Sequence, residues 1–185
     1  MNDVSKIAEG IVSGSQLLLR HMPYPMATKI LAWVGSDGWD HCATVLRDDE
    51  TGELMVYEAY PPQCRKVPLE EYIEEMIEWK AKRHRWRKRT GKKFACEVYT
   101  PPGEIPTEVM WNEAESWLGT QYGMIVNWIF GTAAIHCSEL QRRILEQIPD
   151  LVGSWEDEDP SKTEPIENRV VLQQNGWSCH ELEID

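Results

Sequence analysis

Phenylalanine is scarce in this chain, with 2 among 185 residues. No apolar run approaches the roughly 20 residues that a membrane-spanning helix needs. Neither an internal repeat nor a domain boundary is visible. The 5 cysteines are odd in number and irregularly spaced. They do not read as the framework of a disulfide-stapled secreted domain, and they suit a reducing compartment where a thiolate survives. The first ten residues, Met1 to Gly10, lack the basic, apolar and small-residue succession of a secretory signal. A cytoplasmic protein is expected. Positive charge is also in short supply: 19 Lys and Arg against 31 Asp and Glu leave a formal net charge of −12. That argues against general nucleic-acid binding by the whole surface.

What is present fits one domain spanning residues 1–185, long enough to bury about two-thirds of its unfolded surface. Hydrophobic residues make up 42%, and the 9 tryptophans suggest half-buried or groove-lining positions. Read coarsely, the chain is α+β. Residues 4–20 suggest a short helix or turn running into the apolar segment Ser15 to Leu19. Met26 to Val34 reads as helical, and Gly35 to Gly38 as loop. Two strands follow, Cys42 to Arg47 and Glu53 to Tyr60, with Pro61-Pro62 ending the second.

A helix is expected from Pro68, with Leu69, Tyr72, Ile73, Met76 and Ile77 as its apolar stripe and Glu70, Glu71, Glu74, Glu75 and Glu78 facing water. Phe94 to Tyr99 reads as a strand and Pro106 to Leu118 as a helix. Another helix begins at Cys137, with Leu140, Ile144, Leu145 and Ile148 at helical spacing, and Pro149-Asp150 closes it. Val170 to Leu172 suits a last strand or short helix, and the tail from Trp177 is expected at the periphery.

Three chemical groups stand out. Cys137 opens a helix after the small residues Gly131-Thr132-Ala133-Ala134, where orphan N–H groups and the dipole favour a thiolate. Cys42, Cys64, Cys96 and Cys179 have no helix start behind them. His41 lies on one strand and Glu58 on the next, among apolar residues where an unpaired carboxylate is costly. A hairpin closed by Arg47 and Gly52 would set His41 directly opposite Glu58, with Cβ atoms about 4.5–5.5 Å apart on one face. A slip of one residue would separate them. Together the three offer a nucleophile, a base and a group that orients the base.

The segment from Leu118 to Gln141, with its L-G-T-Q-Y turn and Cys-Ser-Glu-Leu helix start, resembles the nucleophile region of NlpC-type papain-like peptidases. Asp40-His-Cys-Ala-Thr-Val45 resembles their histidine strand, which there follows the cysteine. Here it comes first. That order resembles the circularly permuted YiiX/YaeF-like hydrolases, relatives of the lecithin:retinol acyltransferase-like enzymes. The resemblance covers about residues 10–147, leaving 148–185 as a C-terminal extension. It implies a papain-like α+β fold, a small antiparallel sheet packed on the nucleophile helix, with Cys137 as nucleophile, His41 as base and Glu58 as orienting group. The chain departs from the pattern at His136, where an aromatic residue is usual. A G-D motif near the start is also missing; Glu9-Gly10 and Ser13-Gly14 are poor substitutes.

The implied chemistry is acyl transfer through a thioester, hydrolysing an amide or ester of a small-molecule, peptide or lipid substrate, with peptide or amide favoured. The Cys137 N–H and the Tyr122 hydroxyl are candidate oxyanion donors. No metal or organic cofactor is required. The adjacent pairs His41-Cys42, His136-Cys137 and Cys179-His180 are poorly spaced for zinc, and strand neighbours face opposite ways. Trp33, Trp39 and Trp128 either line an apolar groove or pack in the core.

Two alternatives stay open. One is a lipid acyl hydrolase or acyltransferase. The other is a non-catalytic interaction protein using residues 80–93, which hold nine Lys and Arg while the rest of the chain has ten against all 31 acids. That run offers a surface for peripheral membrane contact, or a solvated helix end. No specific nucleic-acid partner is expected.

Overall fold

The computed structural model describes residues 4–20, 39–90, 94–123, 134–156 and 158–184, without the side chains of 83–90. Strands β1 (Gln16–Arg20), β2 (Trp39–Arg47), β3 (Leu54–Tyr60), β4 (Gln63–Pro68), β5 (Ala95–Thr100) and β6 (Ser178–Glu181) form one sheet. It has 6 strands in the order β4-β3-β2-β1-β5-β6, and every neighbouring pair is antiparallel. The helices are α1 (Val4–Ala8), α2 (Leu69–Thr90), α3 (Thr107–Ser116), α4 (Cys137–Leu145), α5 (Pro149–Val152) and α6 (Pro165–Gln174).

Helices cover the sheet on both faces. Leu18, Cys42, Leu46 and Tyr57 pack against Leu140, Ile144 and Leu145 of α4, together with Met110 and Ala114 of α3. Leu17, Leu19, Ala43, Val45 and Val56 face the other way, onto Leu69, Tyr72, Ile73 and Met76 of α2. A central strand buried on both faces shows a continuous apolar run in place of alternation, as Leu17-Leu18-Leu19 does. The α2 stripe is the expected one, with Trp79 added and Ile77 half-buried.

Three expectations need correction. The β2–β3 register pairs Arg47 with Leu54, not Gly52, so each β2 residue faces one two positions further along β3 than expected. The turn explains this. Asp48 closes it by donating its N–H to the Glu53 carbonyl, and its Oδ1 accepts from Glu50 N and Thr51 N at 3.0 and 2.9 Å. Gly52 supplies the positive φ of +73° inside the loop and is not a strand position.

Secondly, β4 lies between Pro61-Pro62 and α2, where no strand was expected. Its exposed, polar positions and the buried Cys64 and Val67 show no period of two.

Thirdly, the C-terminal tail is integral. Trp177 is buried and its indole donates to the Leu151 carbonyl at 2.9 Å. Strand β6 pairs with β5, and Leu182 and Ile184 are buried in the α2-side core. Val170 to Leu172 belong to α6, and Pro149 begins the short α5 directly after α4. The helix expected at Met26 to Val34 and the loop at Gly35 to Gly38 lie outside the described residues.

Candidate active site

His41 stands on β2 beyond the last β2–β3 ladder pair, Thr44 with Tyr57, and opposite Leu19 of β1. The register correction leaves His41 and Glu58 as diagonal neighbours on one face, because a displacement of two preserves facing. Both are fully buried, and His41 Nε2 lies 2.5 Å from Glu58 Oε2. Glu58 has two further donors. The Tyr72 hydroxyl donates to Oε2 at 3.0 Å, and Arg65 Nε donates to Oε1 at 2.7 Å. Arg65 also clamps Glu75 through Nη1 and Nη2 at 3.0 and 2.6 Å, so this acid of α2 does not merely face water. The Tyr60 ring stands edge-on to His41, centroids 5.9 Å apart, and also stacks on Trp79.

Cys137 begins α4 and is buried in the core on that face of the sheet, in the cluster that also holds Cys42 of β2. Burial disfavours the His41 cation, but the charges of Glu58 and Cys137 outweigh it and raise the imidazole to about 10. Burial likewise disfavours ionised Glu58, yet His41 and then Arg65 bring its carboxyl below the usual range. The Cys137 thiol moves well below its ordinary value. Its largest cause is the Cys42 thiol hydrogen-bonded beside it, acting against burial and joined by the charge and hydrogen bond of His41. Burial, and then Cys137, push the Cys42 thiol far upward. The three shifts run in the direction that favours the ionised forms of Cys137, His41 and Glu58.

The helix start is prepared by His136, the N-cap in extended conformation, whose Nδ1 accepts from Glu139 N at 3.3 Å. Its Nε2 donates to the Ser161 carbonyl at 2.8 Å, which fixes the ring. The Ser138 hydroxyl donates to the Thr163 carbonyl at 2.6 Å. Cys137 thus occupies the first helical position, where backbone N–H groups have no intrahelical partner. Tyr122 is half-buried and joined to Ile135 by a parallel bridge. Burial, with the nearby charges of Cys137 and Cys42, raises its phenol.

Trp39 is a packing residue. It is buried in the α4-side core, with the Arg20 and Arg169 guanidinium groups over its ring at 5.7 and 5.1 Å. Trp33, Trp128 and Gly131 to Ala133 lie outside the described residues. So do the side chains of the basic run from Arg83 onward, although the α2 backbone continues to Thr90. Among the described residues no helix is long and apolar enough to cross a membrane.

Sequence reasoning missed Arg65, Glu75, Cys42, Gln141 and Asn168. Arg65 sits on the strand that carried no signal. Tyr72 was visible only as part of an apolar stripe, and nothing marked its hydroxyl as a partner of Glu58.

An antiparallel α+β sheet with helices on both faces, carrying a histidine strand ahead of a cysteine helix, defines the class of fold. It is a YiiX-like fold. The chain is similar to the crystal structure of metalloprotein yiiX from Escherichia coli O157:H7, with a TM-score of 0.59 and 13% sequence identity. That likeness covers 94% of this chain and 98% of that one. No family model and no curated protein matches the chain. The neighbour is described as a metalloprotein. Among the described residues here, no three His, Cys, Asp or Glu side chains are grouped to hold a metal ion. The donors nearest the thiol are already engaged: His41 Nε2 by Glu58, and Glu58 by Arg65 and Tyr72.

Proposed function

We propose that this protein is a cysteine-dependent hydrolase of amide or ester bonds, working through Cys137, His41 and Glu58 in a circularly permuted papain-like arrangement. The observation that carries the reading is the buried His41–Glu58 pair at 2.5 Å, set beside a thiol held well below its ordinary pKa at the start of a helix. A structural cysteine in an apolar core has its pKa raised, as burial does to Cys64, pushed up to about 12. Cys137 is shifted the other way, which favours a nucleophile over a packing residue.

In this mechanism the resting pair is Cys137 thiolate and His41 imidazolium. The thiolate attacks the substrate carbonyl and forms the C–S bond. The developing oxyanion is met by the Cys137 N–H at the helix start, with the Tyr122 hydroxyl within the same neighbourhood. With Nε2 held by Glu58, Nδ1 of His41 delivers its proton to the leaving amine or alkoxide as the C–N or C–O bond breaks. A thioester remains. His41, now neutral, takes a proton from water, whose oxygen attacks the thioester and releases the acid and the thiolate. Glu58 keeps the imidazole oriented and stabilises its cation throughout.

The test is iodoacetamide alkylation against pH, read by mass spectrometry, for wild type, Cys137→Ser and His41→Ala. Cys137 is expected to label well below the usual thiol pKa of about 8.5, and His41→Ala is expected to abolish that early labelling. Labelling of Cys137 no earlier than that of the exposed Cys179, or labelling indifferent to His41, would remove the nucleophile from the proposal.

A further inference from the structure

The C-terminal helix reaches into the site through one side chain. Asn168 of α6 is fully buried, and every polar atom of its amide is used. Its Oδ1 accepts from the Trp155 indole at 2.9 Å. Its Nδ2 donates both to the Ser138 carbonyl and to Gln141 Oε1, each at 3.0 Å. Gln141 has its carbonyl oxygen committed to Asn168, so its amide nitrogen must point elsewhere, and it donates to the Ala43 carbonyl at 3.1 Å. Donation therefore runs one way, from Trp155 through Asn168 and Gln141 to the strand that carries His41. The same chain grips Ser138, the residue after Cys137.

We infer that Asn168 is a positioning residue for the nucleophile: its amide fixes the spacing of the Cys137 helix to the His41 strand. An amide suits this place because it offers two N–H donors toward two acceptors and one acceptor toward a donor. A carboxylate of the same shape has no donors for Ser138 and Gln141, and it brings a negative charge near the thiolate. The inference rests on the hydrolase reading and extends its machinery into residues 148–185, beyond the segment that carries the family motifs.

The experiment is the same alkylation profile for Asn168→Asp and Asn168→Leu, with far-UV circular dichroism and urea unfolding to establish the fold. Asn168→Asp should raise the pH midpoint of Cys137 labelling by about one unit, roughly a tenfold loss of rate at neutral pH. Asn168→Leu should shift it in the same direction by less, since it removes the link without adding charge. A purely structural role would lower the urea midpoint and leave the pH midpoint in place; folded variants whose profiles superpose on wild type overturn the inference. If neither variant folds, Trp155→Phe, altered at the half-buried end of the chain, should still slow labelling several-fold at neutral pH, and no change there is equally fatal. Wild-type labelling that is neither early nor dependent on His41 would sink the hydrolase reading and this inference together. Early, His41-dependent labelling that ignores Asn168 and Trp155 would sink the inference alone.

Discussion

Glu58 has three partners of different kinds, and removing each has a different consequence. Glu58→Gln keeps the shape and deletes the charge. Burial already opposes the His41 cation, and Glu58 is the largest influence holding it up at about 10. Without it the imidazolium is lost at lower pH, its support for the thiolate goes, and the Cys137 pKa climbs toward its ordinary value. Labelling at pH 7 should fall by tenfold or more, with each pKa unit worth a factor of ten. Arg65→Gln acts differently. It leaves Glu58 Oε1 short of a charged donor and releases Glu75, at a cost of roughly 1–3 kcal/mol in urea unfolding. Yet Glu58 stays ionised beside His41, so the labelling midpoint should hold. A large drop in neutral-pH labelling for Arg65→Gln would mean that the guanidinium is part of the reactive charge array and not only its support.

The β2–β3 hairpin decides whether His41 and Glu58 meet, and its register is written in the turn more than in the strands. Asp48 holds the turn through Glu50 N, Thr51 N and the Thr51 hydroxyl, and Lys66 of β4 binds its other oxygen at 3.0 Å. The Thr51 N–H, then Lys66, lower its carboxyl to about 2. Asp48→Ala should therefore cost about 1–3 kcal/mol by urea unfolding, while Asp48→Asn, which keeps an acceptor for the turn, should cost less. Equal losses for the two would place the stabilisation in the Lys66 ion pair instead. The sequence carried enough to put His41 and Glu58 on one face, because facing depends only on the parity of the register. It did not carry the register itself, since Asp48 and Gly52 both suit a turn and only the three-dimensional bonding shows which residue closes it. Helices α2 and α4 were legible from apolar spacing and the helix-start signals around Cys137. Strand β4 was not, because an edge strand with Gln63, Arg65 and Lys66 exposed or half-exposed shows no alternation, and with it went Arg65.

Across the whole molecule, the sequence motifs end near residue 147, but the packing does not. Val171, Leu172 and Trp177 belong to the core that contains Cys137, and Leu182 and Ile184 belong to the core on the opposite face. Strand β6 covers the edge of β5, with Glu97 to Thr100 paired to Glu181 to Ser178. Arg169 adds a further tie, donating to Glu97 Oε2 through Nε at 2.9 Å. A chain truncated after Gln147 would lose all of this at once. It would expose Leu140, Ile144 and Leu145 on one side and an unpaired strand edge on the other, a combination that drives aggregation. Each buried aliphatic or aromatic side chain removed forfeits about 1.5–3 kcal/mol of transfer free energy, and five of them exceed much of the 5–15 kcal/mol that stabilises an ordinary domain. Truncation after Gln147 should therefore give an insoluble or non-cooperatively unfolding product, while truncation after Ile184 should leave unfolding unchanged. A shortened chain that stays monomeric and unfolds cooperatively in urea would show that residues 10–147 form a domain alone, and that α6 and β6 are an addition to it. Failure of the shortened chain to fold would make the C-terminal segment as much a part of the Cys137 site as the strand bearing His41.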